Sequence, residues 1–392
     1  MRPPVIIGGG PAGATAALAL RKAGQAVTLI ERAATPSDKV CGDFLGAAAS
    51  RLAGAMGVPL VALGARPISH LRVIRRDSVI ESRFPFQALA LSRRTLDEAL
   101  LRQCLASGVD LLRGEAARPP RTDGQNLVIE TAQRGTLTTG TVFLATGRPD
   151  PRTITPAQPP SGVTAYKIYL RLRPAQRDAL AGMVEIVVFP TGQAALQWVE
   201  DDQVALCVLL RRRPPDDRWN AVRDVLAARS PHLARRLDGS APLLDRPLVA
   251  ADIPLGFLHR VRATDHDGLY RIGDQAAVLS SLIADGVSAA MRGANRAAQS
   301  WLSGAGAMDY HRRVRGMLWP RVRMVADYDP AGHPAHGGNG SGHRIDPDPA
   351  DPAASAGKGS ASHGMGNAPP EPPPGGPAPG ARLSARWNRL IA

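Results

Sequence analysis

The chain has few cysteines and no long apolar run. Its three cysteines, Cys41, Cys104 and Cys207, are far apart and form no C-x-x-C pair. This spacing argues against a disulfide framework and against a metal site, so we expect no metal and a reducing, cytoplasmic location. No run of about eighteen apolar residues occurs, so we expect no transmembrane helix. The first apolar strand begins at Val5, so we also expect no signal peptide.

Lysine is scarce although the chain is strongly basic. The formal net charge is +14, and nearly all of the positive charge is arginine, since the lysines are limited to Lys22, Lys39, Lys167 and Lys358. We interpret this mainly as a compositional bias, with an anionic membrane surface or an anionic substrate as the alternative. Aromatic residues make up 4% of the chain and do not alternate with basic ones, so we expect no nucleic-acid partner.

The most informative segment lies at residues 5–32, where a strand, a glycine-rich turn, a helix and a second strand follow one another. Gly8, Gly10 and Gly13 give the spacing G-x-G-x-x-G. These glycines permit a tight turn, close approach of backbone to a pyrophosphate, and close packing of helix on strand. The helix N-terminus offers free N–H groups to phosphates. Glu31, at the end of the second strand, can accept hydrogen bonds from ribose hydroxyls. The segment therefore predicts a dinucleotide site.

A second, β-rich part is predicted to be inserted into this nucleotide-binding domain. Residues 71–90 have the pattern of a β-hairpin, and short strands separated by turns follow between residues 165 and 210, with a hairpin at Asp201-Asp202. The nucleotide-binding pattern then resumes at Tyr270–Ile272, which leads into Gly273-Asp274 and a helix of small residues. A simple Rossmann dehydrogenase would not show this interruption.

The C-terminal part, residues 329–392, is rich in proline and glycine and has hardly any apolar anchors. It cannot bury enough surface to offset the entropy of ordering, so we predict a disordered tail. The four histidines between His333 and His363 are assigned to this linker and not to a metal site. The last twelve residues have the pattern of a short basic amphipathic helix; contact with a membrane surface or with the body of the protein stays open.

With these features the chain resembles the FAD-dependent oxidoreductases of the glutathione-reductase-like fold, and within them the geranylgeranyl reductase and aromatic hydroxylase branch. The resemblance covers roughly residues 4–320. It is carried by GGGPAG with Glu31-Arg32, by KVCGDFL at residues 39–45, by Arg93 with Leu96-Asp97, and by Gly273-Asp274 with Asp285-Gly286. The resemblance implies an α/β fold with a Rossmann-like FAD-binding domain of the GR2 type, an inserted antiparallel β-sheet substrate domain and the disordered tail.

The resemblance also implies the domain limits and the site. The FAD-binding domain is expected at residues 1–70, 91–155 and 263–328, the hairpin of the substrate domain at 71–90, and the substrate domain itself at 156–262. The residues implied to bind FAD are Gly8, Gly10, Pro11, Ala12, Gly13, Glu31, Arg32, Cys41, Gly42, Arg93, Gly147, Gly273, Asp274 and Gly286.

Two segments depart from the family pattern. Hydroxylases usually carry Asp-Gly where this chain has Thr146-Gly147, which weakens the hydroxylase interpretation. The reductase branch usually has proline and Gly-x-Gly in the last block, where Ser280 and Ala284 occur instead. A Cβ at Ala284 would be unfavourable if the backbone there requires a positive φ.

Because the flavin would carry the chemistry, no catalytic residue is assigned from the sequence. Cys41 is a weak candidate near the ring, and a small buried apolar residue is the alternative. We expect a hydrophobic substrate, with NAD(P)H docking transiently or a ferredoxin-like protein as electron donor. Reduction of carbon–carbon double bonds is the first hypothesis, a monooxygenase using NAD(P)H and O2 the second, and a degenerate FAD-binding scaffold the third. The expected substrate-lining residues are Tyr166, Tyr169, Phe189, Leu196 and Trp198.

Overall fold

The computed structural model describes residues 2–148, 161–254, 256–279 and 286–326. The predicted tail, the Ser280 to Asp285 loop and the domain boundary at residue 155 lie outside the described residues. Within those ranges the helices are α1 Pro11–Lys22, α2 Ala47–Ala55, α3 Arg93–Ala106, α4 Pro174–Asp178, α5 Trp219–Arg229, α6 Pro231–Leu237, α7 Gly286–Leu302 and α8 Ala307–Ala326. No helix in the described part of the chain has the length and apolarity needed to span a membrane.

The strands, like the helices, are numbered in chain order. They are β1 Val5–Ile7, β2 Thr28–Glu31, β3 Phe44–Leu45, β4 Arg66–Arg75, β5 Ser78–Ala90, β6 Asp110–Arg113, β7 Arg121–Asp123, β8 Asn126–Thr131, β9 Gly135–Thr139, β10 Val142–Leu144, β11 Thr164–Arg171, β12 Met183–Phe189, β13 Gly192–Trp198, β14 Val204–Leu210, β15 Ala241–Pro242, β16 Leu248–Ala250, β17 Phe257–Leu258, β18 Leu269–Arg271 and β19 Ala277–Val278.

The first sheet is parallel and has the order β18-β10-β1-β2-β6. Its central strand β1 is fully buried, as expected for a parallel strand covered on both faces. The helices α1 and α7 contribute small side chains to one core cluster, among them Ala14, Ala17, Ala294 and Ala298. Small residues let these helices approach each other and the sheet closely, which explains the alanine-rich composition of both segments.

The second sheet has nine strands in the order β15-β11-β14-β13-β12-β4-β5-β3, with β16 pairing to β11. All of its neighbours are antiparallel except β12 and β4, which are parallel. The predicted inserted antiparallel sheet is therefore present, with one parallel pair that joins the hairpin β4–β5 to it. The turn at Asp201-Asp202 has positive φ at both residues, 52° and 57°, as a tight two-residue hairpin turn requires.

The two faces of this second sheet have different neighbours. The outer face, defined by Tyr166, Ile168 and Leu170 on β11, packs against side chains of α5 and α6 such as Trp219 and Leu233. The inner face alternates with it and is defined by Lys167 and Tyr169 on β11, Gln197 on β13 and Cys207 on β14. The inner face packs against residues of the FAD-binding segments, including Phe44 and Leu279.

A small sheet, β7-β8-β9, covers residues 121–139 and was not predicted from the sequence. Its strands are short and mostly polar, and β7 is exposed along its whole length. Leu127 and Ile129 of β8 belong to the core cluster beside the parallel sheet, and the partly buried Leu137 of β9 packs against it.

Helix α8 closes the parallel sheet at β18 through a pair of buried histidines. The rings of His259 and His311 are 4.7 Å apart, and the backbone N–H of Arg271 donates to Nε2 of His311 at 3.3 Å. Burial, together with the nearby Arg271 cation, lowers the pKa of His259 to about 4. Burial, together with His259, lowers the pKa of His311 to about 3.

We therefore expect the protein to lose stability in mild acid. Both histidines are neutral in the fold, whereas in the unfolded chain they bind protons below pH 6.5. Their contribution is complete above pH 6.5 and falls as the pH drops toward 4, by about 2 kcal/mol per histidine between pH 7.5 and 5. Urea unfolding at the two pH values measures this loss. The double variant H259Q/H311Q should show a much smaller difference between them, and an unchanged difference would contradict the assignment.

Candidate functional site

The glycine-rich turn between β1 and α1 is packed so tightly that side chains are excluded. Gly8 has φ +108°, and a Cβ there would lie 2.3 Å from the carbonyl oxygen of Ala145. A Cβ on Gly13 would lie 1.8 Å from the carbonyl oxygen of Gly8. At Gly10, by contrast, a Cβ would meet only a guanidinium nitrogen of Arg93 within 4 Å, at 3.5 Å. The turn is thus closed toward the sheet and open above Gly10.

Helix α1 begins in this turn without a side-chain cap. Gly10 is the N-cap of the helix and has no side chain that could accept a backbone N–H. Pro11 occupies the first helical position, where the missing N–H of proline costs nothing. The N–H groups of Ala12 and Gly13 belong to the first turn, which has no intrahelical acceptors. The helix therefore presents free donors and its positive end where the sequence predicts phosphates.

Glu31 lies at the end of β2, beside the turn. Its carboxylate accepts from the backbone N–H of Gly9 at 2.6 Å and from that of Ala33 at 2.7 Å. This holds the carboxylate next to the glycine turn while its side chain stays only partly buried. The neighbouring Arg32 is exposed, and no contact that would assign it a role occurs among the described residues.

Arg93 begins helix α3 and reaches toward Gly10. Its guanidinium makes two hydrogen bonds to the carboxylate of Asp97, at 2.7 and 2.8 Å. Burial alone would lower the pKa of Arg93, but Asp97 outweighs this and raises it, so the cation is permanent. The paired carboxylate fixes the direction of the arginine side chain, which the sequence did not reveal. The structure thus favours Arg93 over Arg94, which is exposed and pairs with Asp38.

The segment Cys41–Asp43 runs between Arg93 and the inner face of the second sheet. The carbonyl of Cys41 accepts from Nζ of Lys167 at 2.8 Å, and the carbonyl of Gly42 accepts from Nε2 of Gln197 at 2.5 Å. Burial raises the pKa of the Cys41 thiol, opposed in part by Arg93. A thiol with a raised pKa stays protonated and is a poor nucleophile, which favours the packing role for Cys41.

The last predicted block lies at the end of β18. Gly273 has φ +59°, and a Cβ there would lie 2.9 Å from Cβ of Ala12, so the loop rests on the first turn of α1. Burial raises the pKa of Asp274, and the Arg93 and Arg148 cations oppose this. Among the described residues none donates a hydrogen bond to its carboxylate, which leaves the carboxylate free for a ligand hydroxyl.

Gly147 and Gly286 occupy the remaining two predicted positions. Gly147, with φ +78°, follows β10, and its carbonyl accepts from Nε2 of Gln275 at 2.8 Å. Gln275 also donates to Oγ1 of Thr146 at 2.9 Å, which ties the ends of β10 and β18 together. Gly286 is the first residue of α7 and is exposed. Thr146, which stands where hydroxylases carry aspartate, is thus a structural partner of Gln275.

These residues converge because β1, β2, β10 and β18 are parallel and end at the same edge of the sheet. Ligands of open α/β sheets bind at such an edge, where the strand order reverses, here between β10 and β1. The glycine turn forms a cradle that a Cβ would fill, and the partly exposed carboxylate of Asp274 accepts no hydrogen bond from the described residues. The glycine turn and the start of α1 match phosphates, Glu31 matches a ribose, and Asp274 matches a polyhydroxylated chain. The residues present therefore fit FAD.

Four of the five expected substrate-lining residues lie elsewhere. Tyr166, Phe189 and Leu196 belong to the outer-face core beneath α5 and α6. Trp198 stacks with the guanidinium groups of two arginines, at 4.3 and 4.8 Å. Only Tyr169 is on the inner face, and its hydroxyl is engaged by Asp43. The expectation was wrong for the other four because these strands are apolar on both faces, so the sequence shows no alternation to tell the faces apart.

Three contacts of the site were missed by sequence reasoning, namely those of Asp43, Lys167 and Gln197. Asp43 is fully buried and lies within KVCGDFL, but the two side chains that bind its carboxylate, Lys167 and Tyr169, are more than a hundred residues away. One signal was available: Lys167 is a lysine within an apolar strand of a chain that otherwise uses arginine. Of the described residues, no group of three His, Cys, Asp or Glu side chains converges as a metal site would require.

Residues 3–171 match the family model described as pyridine nucleotide-disulphide oxidoreductase. No curated protein matches the sequence. Among solved structures, the flavin-dependent brominase Bmp2 is 20% identical with a TM-score of 0.68, covering 83% of this chain and 85% of that one. The fold is that of the FAD-dependent oxidoreductases.

Two further structures agree with this fold. The myxobacterial chondrochloren halogenase CndH, titled a variant of FAD-dependent halogenases, is 18% identical with a TM-score of 0.69, covering 83% of this chain and 82% of that one. PqsL of Pseudomonas aeruginosa, a probable FAD-dependent monooxygenase, is 18% identical with a TM-score of 0.65, covering 82% and 93%. The family model and the fold confirm the prediction of an FAD-dependent oxidoreductase, whereas none of these three structures is a geranylgeranyl reductase.

Proposed function

We propose that the protein is an FAD-dependent monooxygenase-type enzyme that uses O2 to oxidise a hydrophobic small molecule. The observation that carries the proposal is the inner face of the second sheet, which presents an apolar stretch of Val73, Ile186, Ala195 and Cys207 beside the cradle fitted to FAD. The likeness to a brominase, a halogenase and a probable monooxygenase supports the use of O2 over the reduction of double bonds. Reduced FAD, when bound, supplies the two electrons for this chemistry.

Each cradle residue has a distinct task in this proposal. The first turn of α1 binds the pyrophosphate through its N–H groups, and the Arg93 cation neutralises part of its charge. Glu31 accepts from a ribose hydroxyl, and Asp274 accepts from the sugar-alcohol chain. The N-terminus of α7 at Gly286 would face negative charge on the reduced ring. NAD(P)H, or a ferredoxin-like protein, would deliver the electrons from outside.

The inner face would hold the substrate. One row across the sheet consists of Val73, Ile186, Ala195, Cys207 and Lys167, placed opposite one another by the strand register. Val73, Ala195 and Cys207 are partly exposed although the strands around them are buried. Burial raises the pKa of Cys207 to about 12, so its thiol stays neutral and apolar. This row excludes water from the reacting substrate and favours an uncharged, hydrophobic one.

The test is the fate of oxygen in the purified, FAD-loaded protein. The enzyme is reduced with NADPH or dithionite and mixed with 18O2 and a panel of uncharged phenols, pyrroles and polyketide-like compounds. We expect at least one product that carries a single 18O atom, detected by mass spectrometry. Release of every oxidation equivalent as hydrogen peroxide across the whole panel would contradict the proposal.

Reduction of a carbon–carbon double bond is the second candidate. It is favoured by the resemblance of KVCGDFL to the reductase branch and by Thr146, which stands where hydroxylases carry an acid. Anaerobic reoxidation of the reduced enzyme by geranylgeranyl diphosphate or 2-cyclohexenone would support it. If the purified protein takes up no FAD at all, both enzyme candidates fail and the degenerate FAD-binding scaffold is the remaining hypothesis.

A further inference from the structure

An ion pair is buried where the second sheet meets the FAD-binding segments. The carboxylate oxygen Oδ2 of Asp43 accepts from Nζ of Lys167 and from the hydroxyl of Tyr169, the latter at 2.8 Å. The side chains of Asp43 and Lys167 are 0% exposed. Burial raises the pKa of Asp43, and the Lys167 ammonium partly offsets this. Two charged groups have thus been removed completely from water.

Such a pair is a poor means of stabilising a fold. The cost of removing two charges from water commonly exceeds their attraction, and apolar replacements of the same shape are often neutral or stabilising. The backbone of Asp43 adds to this cost, because its φ is +60°, which is unfavourable for a residue other than glycine. The arrangement therefore calls for an explanation other than stability.

The pair lies on a continuous path from the sheet to the phosphate cradle. On the sheet side, Lys167 also donates to the carbonyl of Cys41, and Gln197 donates to that of Gly42. On the other side, Oδ1 of Asp43 accepts from the backbone N–H of Arg93 at 3.3 Å. Arg93 in turn extends over Gly10. Lys167 is the charged residue that the sheet contributes to this path, and it makes two of the path's contacts.

We propose that Lys167 is a positioning residue for FAD, holding the Cys41–Asp43 segment and, through it, Arg93 in the geometry that the cofactor requires. Lys167 touches neither the glycine turn nor Arg93 and acts only through the Cys41–Asp43 segment. The inference rests on the proposed FAD site. It further implies that the substrate sheet and the cofactor cradle are mechanically linked at this point.

The outer face of the same sheet offers a matched control. There Glu185 is 0% exposed and pairs with Arg236 at 2.8 Å, an ion pair equally buried but directed toward α6. Removing Arg236 takes one cation from a buried carboxylate that Arg72 and His232 still contact, so R236M is expected to lower stability without disturbing the cradle. Only the inner-face pair is connected to the cradle.

The experiment measures FAD affinity and thermal stability separately. Apoprotein of wild type, K167M and R236M is titrated with FAD, with flavin fluorescence as the readout, and each melting temperature is recorded. We expect K167M to raise the Kd at least tenfold, whereas R236M changes it less than twofold despite its lower melting temperature. Equal Kd values for K167M and wild type, or Kd changes that follow the melting temperature in both variants, would overturn the inference.

A double variant keeps the test decisive if K167M folds poorly. K167M/D43N contains no buried charge, and the asparagine oxygen can still accept from Arg93, so its melting temperature is expected to recover. The raised Kd should persist, because both hydrogen bonds from Lys167 are lost and only Gln197 and Tyr169 still hold the Cys41–Asp43 segment to the sheet. If the melting temperature and the Kd for FAD both return to the wild-type values, Lys167 has only a structural role. Failure of wild-type protein itself to bind FAD would overturn the proposed function instead.

Discussion

Replacing Gly13 with alanine is expected to abolish FAD binding. The added methyl group would lie 1.8 Å from the carbonyl oxygen of Gly8, far inside van der Waals contact. The carbonyl oxygen belongs to the backbone and the position of the Cβ is fixed by its bond to Cα, so no side-chain rotation relieves the clash. Helix α1 must move away from β1, and the N–H groups of its first turn move with it. We expect no measurable flavin in purified G13A and a melting temperature several degrees below wild type.

Gly54 provides the control for this prediction. It is also a helical glycine, in α2, but a Cβ there would meet nothing within 4 Å. G54A should bind FAD as wild type does and gain up to about 1 kcal/mol from helix propensity. The difference between the two variants separates the clash at the turn from any general effect of alanine. Flavin content in G13A equal to that in G54A would show that the turn does not bind phosphate as argued.

Replacing Arg236 with methionine is expected to cause a large loss of stability. Arg236 donates to both oxygens of Glu185, at 3.1 and 2.8 Å, while Arg72 and His232 contact the same carboxylate. Burial opposes ionisation, but these partners outweigh it and lower the pKa of Glu185 to about 2. Removing one partner of a buried pair costs about 3–5 kcal/mol, and we expect the lower figure because Arg72 and His232 still contact Glu185. Urea unfolding at pH 7 measures the loss.

The same variant should also change the response to acid. Glu185 contributes stability above its ordinary pKa of 4.5, and this contribution is lost as the pH falls toward 2. R236M makes the lowering of the Glu185 pKa smaller, so the free energy of unfolding depends less on pH between about 4.5 and 2. Arg223 is the control, since it forms an exposed pair with Asp224 on α5. R223M should lie within about 0.5 kcal/mol of wild type; a loss as large as that of R236M would refute the role of burial.

The FAD cradle was predictable because its determinants are local in sequence. Strand, glycine spacing, helix and Glu31 all occur within residues 5–32, and each has its own physical requirement. Gly273-Asp274 was found for the same reason, since a strand end and a helix start identify it. The limit of such reasoning is the meeting of distant segments, as at Asp43 and Lys167, which lie 124 positions apart.

The faces of the second sheet show a different limit. Strand β11 is buried at every position from Thr164 to Leu170, so hydrophobicity does not distinguish inward from outward residues. Tyr166 and Tyr169 look alike in the sequence yet point to opposite sides of the sheet. Their placement follows from the register with β14 and from helices α5 and α6, neither of which the sequence pattern supplied. The polar strands β7 to β9 escaped notice because they bury too little to leave a pattern.

The parallel pairing of β4 with β12 has a consequence for how the protein is made. On the ribosome, the hairpin β4–β5 emerges before β12, so one edge of β4 has no partner until β12 is synthesised. The chain between the end of β4 at Arg75 and the start of β12 at Met183 is about a hundred residues long. At about 5–20 residues per second, that edge stays open for roughly 5–20 s. An unpaired strand edge is a template for aggregation. The nascent chain should therefore depend on chaperones during this interval, and expression at low temperature should not remove the dependence, because slower synthesis lengthens the wait.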